Sequence, residues 1–228
     1  MAIILNIETS TTVCSVSIGI NGIVSSVKEV NEGYSHAEKL EQLIQSVLKD
    51  AGIEMKDLQA VSVSKGPGSY TGLRIGVSLA KGICYGAEIP LVSVPTLEAM
   101  ALDPKLAYFK NANLVPMLDA RRMEVYACVL SPTYEVLQAT SAIVVDENSF
   151  ATHIEQSETV FFGPGMSKCQ ETIGRFEKAI FQQDVLPSSA FMVSVSERKF
   201  NNQEFENMAY FEPFYLKDFV AGKPKKLL

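Results

Sequence analysis

The chain has 228 residues, of which 47% are hydrophobic, and its formal net charge at pH 7 is −6. A chain of this length and composition can bury a core as one domain or as two small ones. The acidic balance argues against the broad basic surface of a nucleic-acid-binding domain, and four scattered cysteines without a C-x-x-C pair argue against a zinc or redox site.

The N-terminus predicts no export signal, because no basic segment precedes the first apolar run. The uncharged stretch at residues 9–27 alternates apolar with polar or small residues, which is the period of a strand and not of a membrane span. Isolated cysteines are typical of reduced thiols inside the cell. We therefore expect a soluble, cytoplasmic protein with no membrane association.

The first half of the chain predicts five strands and three helices. Asn21-Gly22 is the residue pair preferred in a two-residue hairpin turn, and Gly52 ends a helix with one apolar face. The predicted strands are residues 3–7, 13–20, 23–30, 60–63 and 91–94, and the predicted helices are residues 34–51, a second ending at 87 and a third beginning near 96.

The segment KGPGSYTGLR, residues 65–74, joins the fourth strand to the second helix, and we call it the first glycine corner. Gly66, Gly68 and Gly72 lack Cβ atoms, so another backbone, a helix or an anion can approach closely, while Pro67 fixes one φ angle. The glycine spacing does not fit G-x-G-x-x-G, and no P-loop Gly-Lys-Ser/Thr follows. The corner therefore favours packing over phosphate binding.

The second half repeats this plan. A predicted strand at residues 114–118 ends in Asp119 and returns at residues 124–130, as the first strand ends in Glu8 before its return strand. Another apolar strand runs into Gly163-Pro164-Gly165, the second glycine corner. Two acid-tipped hairpins and two such corners indicate a duplicated α/β unit. The best boundary between the copies lies within residues 102–113.

Several segments resemble the TsaB family, also called YeaZ, which are small bacterial relatives of the TsaD proteins. The most specific are KGPGSYTGLRIGVSLAKG at residues 65–82 and LDARRMEVY at residues 118–126. The N-terminal ILNIETSTTVCSVSI, the helix opening SHAE and the C-terminal PFYLK also agree. The resemblance spans nearly the whole chain.

This resemblance implies an α/β fold of the actin and hexokinase superfamily, built from two tandem ribonuclease-H-like mixed-sheet domains with the second one reduced. That fold agrees with the duplication seen in the sequence. We place the N-terminal domain, with partner-binding helices, at residues 1–104 and the smaller C-terminal domain at residues 105–228. The extreme C-terminus is expected to pack back on the first domain.

In actin-like ATPases each half sends an acid into a central cleft, where the acids hold magnesium, and Glu8 and Asp119 resemble those acids. Such clefts also need glycines in the hairpin turns, so that backbone amides reach the phosphates, and neither turn here has one. Arg121 and Arg122 can still pair with phosphate oxygens. We expect a degenerate cleft with no cofactor, or with only weakly bound ATP or magnesium. Its residues are Glu8, Thr9, Ser10, Gly66, Gly68, Asp119 and Arg121.

Relatives that resemble TsaD carry H-x-x-x-H on the first helix, two imidazoles one turn apart that can hold a metal. Here the residue four positions after His36 is Leu40, and His153 lies far along the chain. We therefore predict no metal site and no catalytic residues. The alternative is an independent enzyme, either an actin-like ATPase or a glycoprotease-type peptidase.

The first two helices instead predict a partner surface. Glycine inside a helix costs about 1 kcal/mol relative to alanine, so the repeated glycines of the second helix imply close packing, on the chain's own sheet or on a partner. In the TsaB family the equivalent helices pair with TsaD or form a homodimer. The predicted interface residues are His36, Leu40, Leu43, Ile44, Val47, Gly72 and Gly76.

The resemblance thus predicts a non-catalytic scaffold that binds TsaD and supports transfer of threonylcarbamoyl to the adenosine beside the anticodon of tRNA. TsaE is expected to act on the complex, and tRNA to be met only through the complex. The lysine-rich tail at residues 223–226 is either a further contact to tRNA phosphates or a solvated terminus.

Overall fold

A computed structural model describes residues 2–33 and 36–217, which form two five-stranded sheets. The first sheet contains β1 (Ile3–Glu8), β2 (Cys14–Ile20), β3 (Ile23–Val30), β4 (Ala60–Gly66) and β5 (Leu91–Pro95). The second contains β6 (Asn113–Asp119), β7 (Glu124–Leu130), β8 (Val136–Val144), β9 (Thr159–Phe162) and β10 (Ala179–Gln182). The helices are α1 (His36–Ala51), α2 (Tyr70–Ala87), α3 (Thr96–Met100), α4 (Ala151–Gln156), α5 (Gln170–Ile173) and α6 (Val193–Asn201).

Both sheets have the same topology. The first runs β3-β2-β1-β4-β5, and the second runs β8-β7-β6-β9-β10 when it is read from the equivalent edge. In each, three antiparallel strands are followed by two strands parallel to the first. This repetition confirms the predicted tandem ribonuclease-H-like arrangement. The second copy is reduced in its helices, since α4 and α5 have 6 and 4 residues where α1 and α2 have 16 and 18.

The first sheet is covered by helices from both ends of the chain. The long helices α1 and α2 pack on one face around Leu5, Val61 and Leu40. On the other face α6 returns from the end of the chain, where the Ser196 hydroxyl donates to Asn6 Oδ1 at 2.7 Å. We call this sheet with α1, α2 and α6 the first lobe.

The second sheet with α4 and α5 forms the second lobe, and α3 lies between the sheets. One face of the second sheet packs with Leu97 and Met100 of α3 around Phe162. The opposite face packs with Ile154 of α4 and Ile173 of α5. Residues 189–201 lie on the first lobe, so this lobe contains residues from both sides of the predicted domain boundary at residue 104. That boundary stays a prediction.

Candidate functional site

The first glycine corner holds the turn between β1 and β2 directly against α2. A Cβ atom built on Gly68 would lie 2.4 Å from the Ser10 carbonyl oxygen, and one built on Gly72 would lie 2.1 Å from the Thr9 carbonyl oxygen. The Ser69 amide donates to the same Ser10 oxygen at 2.6 Å, and the Thr9 hydroxyl donates to the Gly72 carbonyl oxygen at 2.8 Å. Protein backbone therefore occupies the corner, which confirms its predicted packing role.

The second glycine corner makes the equivalent contact in the second lobe. Gly163 has a φ of +100°, close to the +104° of Gly66, and both values lie in the region that favours glycine. A Cβ atom on Gly165 would lie 2.7 Å from the carbonyl carbon of Leu118, near the end of β6. Each corner thus clamps the acid-tipped hairpin of its own lobe.

Glu8, the acid of the first hairpin, is sealed inside the first lobe. Its side chain is about 1% exposed, and Oε1 accepts a hydrogen bond from the Ser10 amide at 2.5 Å. Within the described part of the chain, Oε2 has no hydrogen-bond partner. Burial raises the pKa of this carboxyl above its ordinary value, and hydrogen bonds from Ser10 only partly oppose that shift.

Replacing Glu8 with glutamine should stabilise the fold increasingly as the pH rises. Folding raises the pKa of this carboxyl, so its contribution to the free energy of unfolding is largest below the ordinary pKa. That contribution is lost as the pH rises through the pKa of the folded chain. Glutamine keeps the acceptor for Ser10 and carries no charge. Urea unfolding between pH 4 and 8 should show Glu8→Gln gaining on the natural chain with pH, whereas the exposed control Glu171→Gln should not. A Glu8→Gln chain that is less stable than the natural chain at pH 8 would contradict this expectation, because the hydrogen bonds to the carboxylate would then outweigh the cost of burying its charge.

Asp119, the acid of the second hairpin, has the opposite environment. Its side chain is 58% exposed and forms an ion pair with Lys168, while Oδ1 also accepts from the Arg121 amide at 2.8 Å. Partial burial acts to raise its pKa, but Lys168 and Arg121 outweigh this effect and hold the pKa below its ordinary value. Asp119 therefore stays ionised, with its charge balanced by Lys168.

These two acids do not fit a shared magnesium ion. Hydrated magnesium requires open carboxylate oxygens, whereas Glu8 is enclosed by its own turn and Asp119 is paired with an ammonium group. Across residues 2–33 and 36–217, no group of three or more histidine, cysteine, aspartate or glutamate side chains is arranged to hold a metal ion. The structure brings Glu8, Thr9, Ser10, Gly66 and Gly68 together, and places Asp119 and Arg121 at the second hairpin.

His36 begins α1 as a buried structural residue. It is about 1% exposed, and its Nε2 lies 2.8 Å from the Thr11 carbonyl oxygen, which ties the helix to the first hairpin turn. Leu40, at the position of the second histidine in H-x-x-x-H, is also about 1% exposed and contributes to the core. The side chains on this face therefore hold α1 in place.

Most of the residues predicted to form a partner interface are instead buried within the first lobe. His36, Leu40, Ile44 and Val47 are at most 4% exposed, the three aliphatic ones belong to the core of the first lobe, and Leu43 packs partly buried against the same core. Gly72 and Gly76 are buried against the Thr9 backbone and hydroxyl. An apolar helical stripe has the same period whether it faces its own sheet or a partner. The residues whose burial argues against a partner contact are His36, Leu40, Ile44, Val47, Gly72 and Gly76, whereas Leu43 stays a predicted interface residue.

The outer faces of α1 and α2 instead enclose an open groove of about 620 Å³. Further along α2, Gly82 and Gly86 face open space, since a Cβ atom on either would have no neighbour within 4 Å in the described residues. Tyr85, between them, is 81% exposed. The groove is lined by Ala37, Leu40, Glu41, Tyr70, Thr71, Arg74, Ile75, Ser78 and Leu79.

A C-terminal strap, residues 211–217, connects the two hairpin regions. Its Phe214 amide donates to the Lys65 carbonyl oxygen at 2.7 Å, and the Tyr215 ring lies 5.0 Å from the Tyr70 ring at the start of α2. At its other end Lys217 pairs with Glu124 of β7. The strap therefore runs from the first glycine corner to the second hairpin. The predictions for the extreme C-terminus and the lysine tail fall on residues 218–228, outside the described residues.

In the described part of the chain, no helix combines the length and apolarity needed to cross a bilayer.

The sequence of this chain is similar to those of several known proteins. Residues 32–224 match the family model of TsaD, tRNA N6-adenosine threonylcarbamoyltransferase. The tRNA threonylcarbamoyladenosine biosynthesis protein TsaB of Escherichia coli is 30% identical, over 96% of this chain and 96% of that protein. The threonylcarbamoyltransferase of Paracoccus denitrificans is 43% identical over 72 residues, which are 32% of this chain and only 20% of that enzyme.

A solved structure from Pseudomonas aeruginosa, described as similar to the peptidase YeaZ, shares the fold. It superposes with a TM-score of 0.76 at 21% identity, covering 95% of this chain and all of that one. Together with the repeated sheet topology, this agrees with the predicted actin and hexokinase type of fold.

Proposed function

The chain belongs to the TsaB family of tRNA threonylcarbamoyladenosine biosynthesis proteins, and from this premise we propose that it is a non-catalytic subunit that binds TsaD. In this proposal TsaD transfers threonylcarbamoyl to the adenosine adjacent to the anticodon of tRNA, and this chain supports TsaD as a scaffold. TsaE acts on the assembled complex, and tRNA meets the chain through that complex.

The observation that carries the proposal is the outward face of α2. Ser78, Gly82 and Gly86 are exposed at intervals of four residues, so they form one line along the helix. Each glycine costs the isolated helix about 1 kcal/mol relative to alanine, and no described neighbour packs against either one. A partner helix that approaches this line closely would use the space that the missing side chains leave.

The neighbouring exposed residues suit a docking surface. Tyr85 offers a large ring with a polar tip, the type of side chain enriched among residues that dominate binding energy. The groove, whose α2 lining lies nearer the start of the helix, is lined mostly by apolar and small residues, with Glu41 and Arg74 among its lining residues. We define the docking face as Ser78, Gly82, Tyr85, Gly86 and the exposed residues that line this groove, which leaves out the buried Leu40.

The same geometry supports a non-catalytic role. Leu40 replaces the second histidine of the metal motif and is buried, and Glu8 is closed off by its own turn. Asp119 is neutralised by Lys168. These environments favour a scaffold over an independent ATPase or peptidase. A second copy of the chain would use the same docking face in the absence of TsaD, so homodimer and TsaD complex should exclude each other.

Reconstitution tests this proposal directly. The purified chain should form no threonylcarbamoyladenosine on unmodified tRNA when it is supplied with the threonylcarbamoyl adenylate. Adding it to the cognate TsaD and TsaE should raise product formation by at least tenfold over TsaD and TsaE without it. Modification by the chain in the absence of TsaD would contradict the non-catalytic role. A failure to co-elute with TsaD would contradict the scaffold role.

A further inference from the structure

Strand β8 is an open edge of the second sheet. It pairs with β7 along one side, and no strand in the described part of the chain pairs with its other side. Its outer row of amide and carbonyl groups therefore faces away from the sheet, where a further strand can pair with it. Val136, Leu137 and Val144 are 54%, 49% and 68% exposed, so this edge is apolar at both ends.

Each of the other three sheet edges has a feature that opposes pairing with another chain. Strand β3 carries Lys28 and Glu29, and Lys28 forms an ion pair with Asp50 at 2.7 Å. Strand β5 is partly covered, because the Glu206 amide donates to the Leu91 carbonyl oxygen at 2.9 Å. Strand β10 has only four residues. Charges, covering segments and short length all protect sheet edges, whereas β8 has nine residues without a charge, a proline or a glycine.

Two β-bulges bend the β8 edge without adding a charge to it. The register shifts between Ser141 and Gln138 and again between Gln138 and Val136, and each time β8 carries the extra residue. A bulge increases the local twist, so a flat, regular strand would follow this edge poorly. A second copy of β8 has the same bends, and its outer edge therefore has the same shape.

The sequence of β8 is nearly the same in both directions. Two aliphatic residues stand at each end of VLQATSAIV, and small or polar residues surround the central Thr140. In an antiparallel pair centred on Thr140, Val136 lies opposite Val144 of the second copy. In the same register Leu137 lies opposite Ile143. Opposed aliphatic pairs stabilise an antiparallel ladder, and a two-fold axis requires a strand that is complementary to itself in this way.

The charges that flank β8 favour the same register. The chain carries a net charge of −6, so two copies repel unless their acids are kept apart. In the pair centred on Thr140, Glu135 lies opposite Val145 of the second copy. A slip of one residue brings Glu135 opposite Asp146, and like charges in directly opposed positions are destabilising. The uncharged β8 edge therefore lets two acidic chains meet without opposed acids, provided that Thr140 is at the centre.

We propose that the β8 edge binds a second copy of this chain, so that two second sheets join into one ten-stranded sheet. This interface shares no residue with the docking face, which lies on α1 and α2 of the first lobe. The two kinds of pairing therefore do not compete for the same residues. A standard interface has about 20–30 residues on each side. Because β8 supplies fewer, the edge-to-edge dimer should form reversibly and at high chain concentration.

Disulfide cross-linking between two cysteine variants tests the register. Val136→Cys and Val144→Cys each place one thiol at an exposed position, and the four natural cysteines are buried. Under mild oxidation an equal mixture of the two variants should form a covalent dimer, because opposed residues lie about 4.5–5.5 Å apart. Either variant alone should form none above background, since its two thiols would be eight residues apart, about 27 Å along the strand.

Ile23→Cys is the matched control, because Ile23 is 73% exposed on β3, an edge strand of the first sheet. Mixed with Val144→Cys, it should give only the background of random collisions. A test mixture that forms no covalent dimer overturns the proposal. Equal amounts of covalent dimer in the test mixture, the control mixture and the single variants overturn it as well.

Sedimentation equilibrium tests the same dimer without cysteine chemistry. Gly82→Leu serves as the background, because a leucine there would fill the docking face and prevent pairing through it. The Gly82→Leu chain should still dimerise as its concentration rises. Adding Leu137→Asp places a carboxylate opposite Ile143 of the second copy and should raise the dimer dissociation constant at least tenfold. Adding Ile23→Asp on β3 should leave it unchanged.

The outcomes of this second experiment are separate from those for the docking face. A Gly82→Leu chain that stays monomeric at every concentration overturns the proposal, as does a dimer that Leu137→Asp leaves intact. If Leu137→Asp instead weakens binding to TsaD while the chain is monomeric, the β8 edge belongs to TsaD and the homodimer is excluded. None of these results decides whether α2 binds TsaD.

Discussion

Gly72→Ala is expected to destabilise the chain by about 3 kcal/mol, the upper end of the usual cost of overpacking. The new Cβ atom would lie 2.1 Å from the Thr9 carbonyl oxygen, and 3.4 Å from the ring of His36. Neither neighbour can move freely, because the Thr9 hydroxyl is hydrogen-bonded to a carbonyl oxygen of α2 and the His36 ring is hydrogen-bonded to the Thr11 carbonyl oxygen. Helix propensity alone predicts the opposite result, a gain of about 1 kcal/mol for alanine.

Gly82→Ala provides the matched control on the same helix. Its Cβ atom meets open space, so only the helix propensity remains and the variant should gain about 1 kcal/mol. Urea unfolding of the two variants beside the natural chain measures both effects. If Gly72→Ala unfolds at the same urea concentration as the natural chain, then the contact between α2 and the first hairpin is not tight in solution.

Gly82→Leu is expected to weaken TsaD binding by a hundredfold or more while leaving the chain folded. The leucine side chain would fill the space in which a partner helix approaches α2, and separating two packed helices forfeits contacts along the whole interface. A hundredfold loss corresponds to about 2.7 kcal/mol. In the isolated chain a Cβ atom at this position has no described neighbour within 4 Å, so the leucine side chain starts in open space. Calorimetric titration with the cognate TsaD measures the loss, and circular dichroism checks the fold.

Ser194→Leu adds the same side chain to an exposed position of α6, on the opposite face of the first sheet. It should bind TsaD as the natural chain does. Equal affinity of Gly82→Leu and the natural chain would place the interface away from α2. Loss of binding in both variants would show a general effect of surface leucine and would remove the support for the docking face.

Local signals in the sequence predicted much of the fold. Asn21 and Gly22 both have positive φ, as the predicted hairpin turn requires. Strands β3 and β7 have the bounds that were predicted from the sequence. The two glycine corners were predicted as a repeated feature because glycine is needed wherever another backbone comes close. Turn chemistry and residue period are properties of neighbouring residues, so one sequence suffices to read them.

Features that depend on distant residues were missed. The α6 segment begins Val-Ser-Val-Ser, an alternation with the period of a strand, yet it folds as a helix that packs on the first sheet. Strands β8 and β10 were not predicted, since β8 mixes exposed apolar with polar residues and β10 has only four residues.

The candidate site was predicted less well than the fold for the same reason. Glu8 and Asp119 occupy equivalent positions in sequence, yet one is buried and the other is paired with Lys168, which lies 49 residues further along the chain. Likewise, the sequence predicts an apolar stripe on α1, but it does not show whether the chain's own sheet or a partner covers that stripe. In the structure the first sheet covers it. Burial and charge pairing are set by the tertiary structure, so the residues were found and their environments were not.

The return of α6 to the first lobe also determines when that lobe can fold during synthesis. One face of the first sheet, including Ile4, Ala60 and Val92, is buried only after residues near Phe200 have been made. A ribosome that has released the first hundred residues therefore presents a half-covered sheet, with Asn6 still lacking its partner Ser196. The nascent chain must therefore wait for α6 before this face of the first sheet is covered.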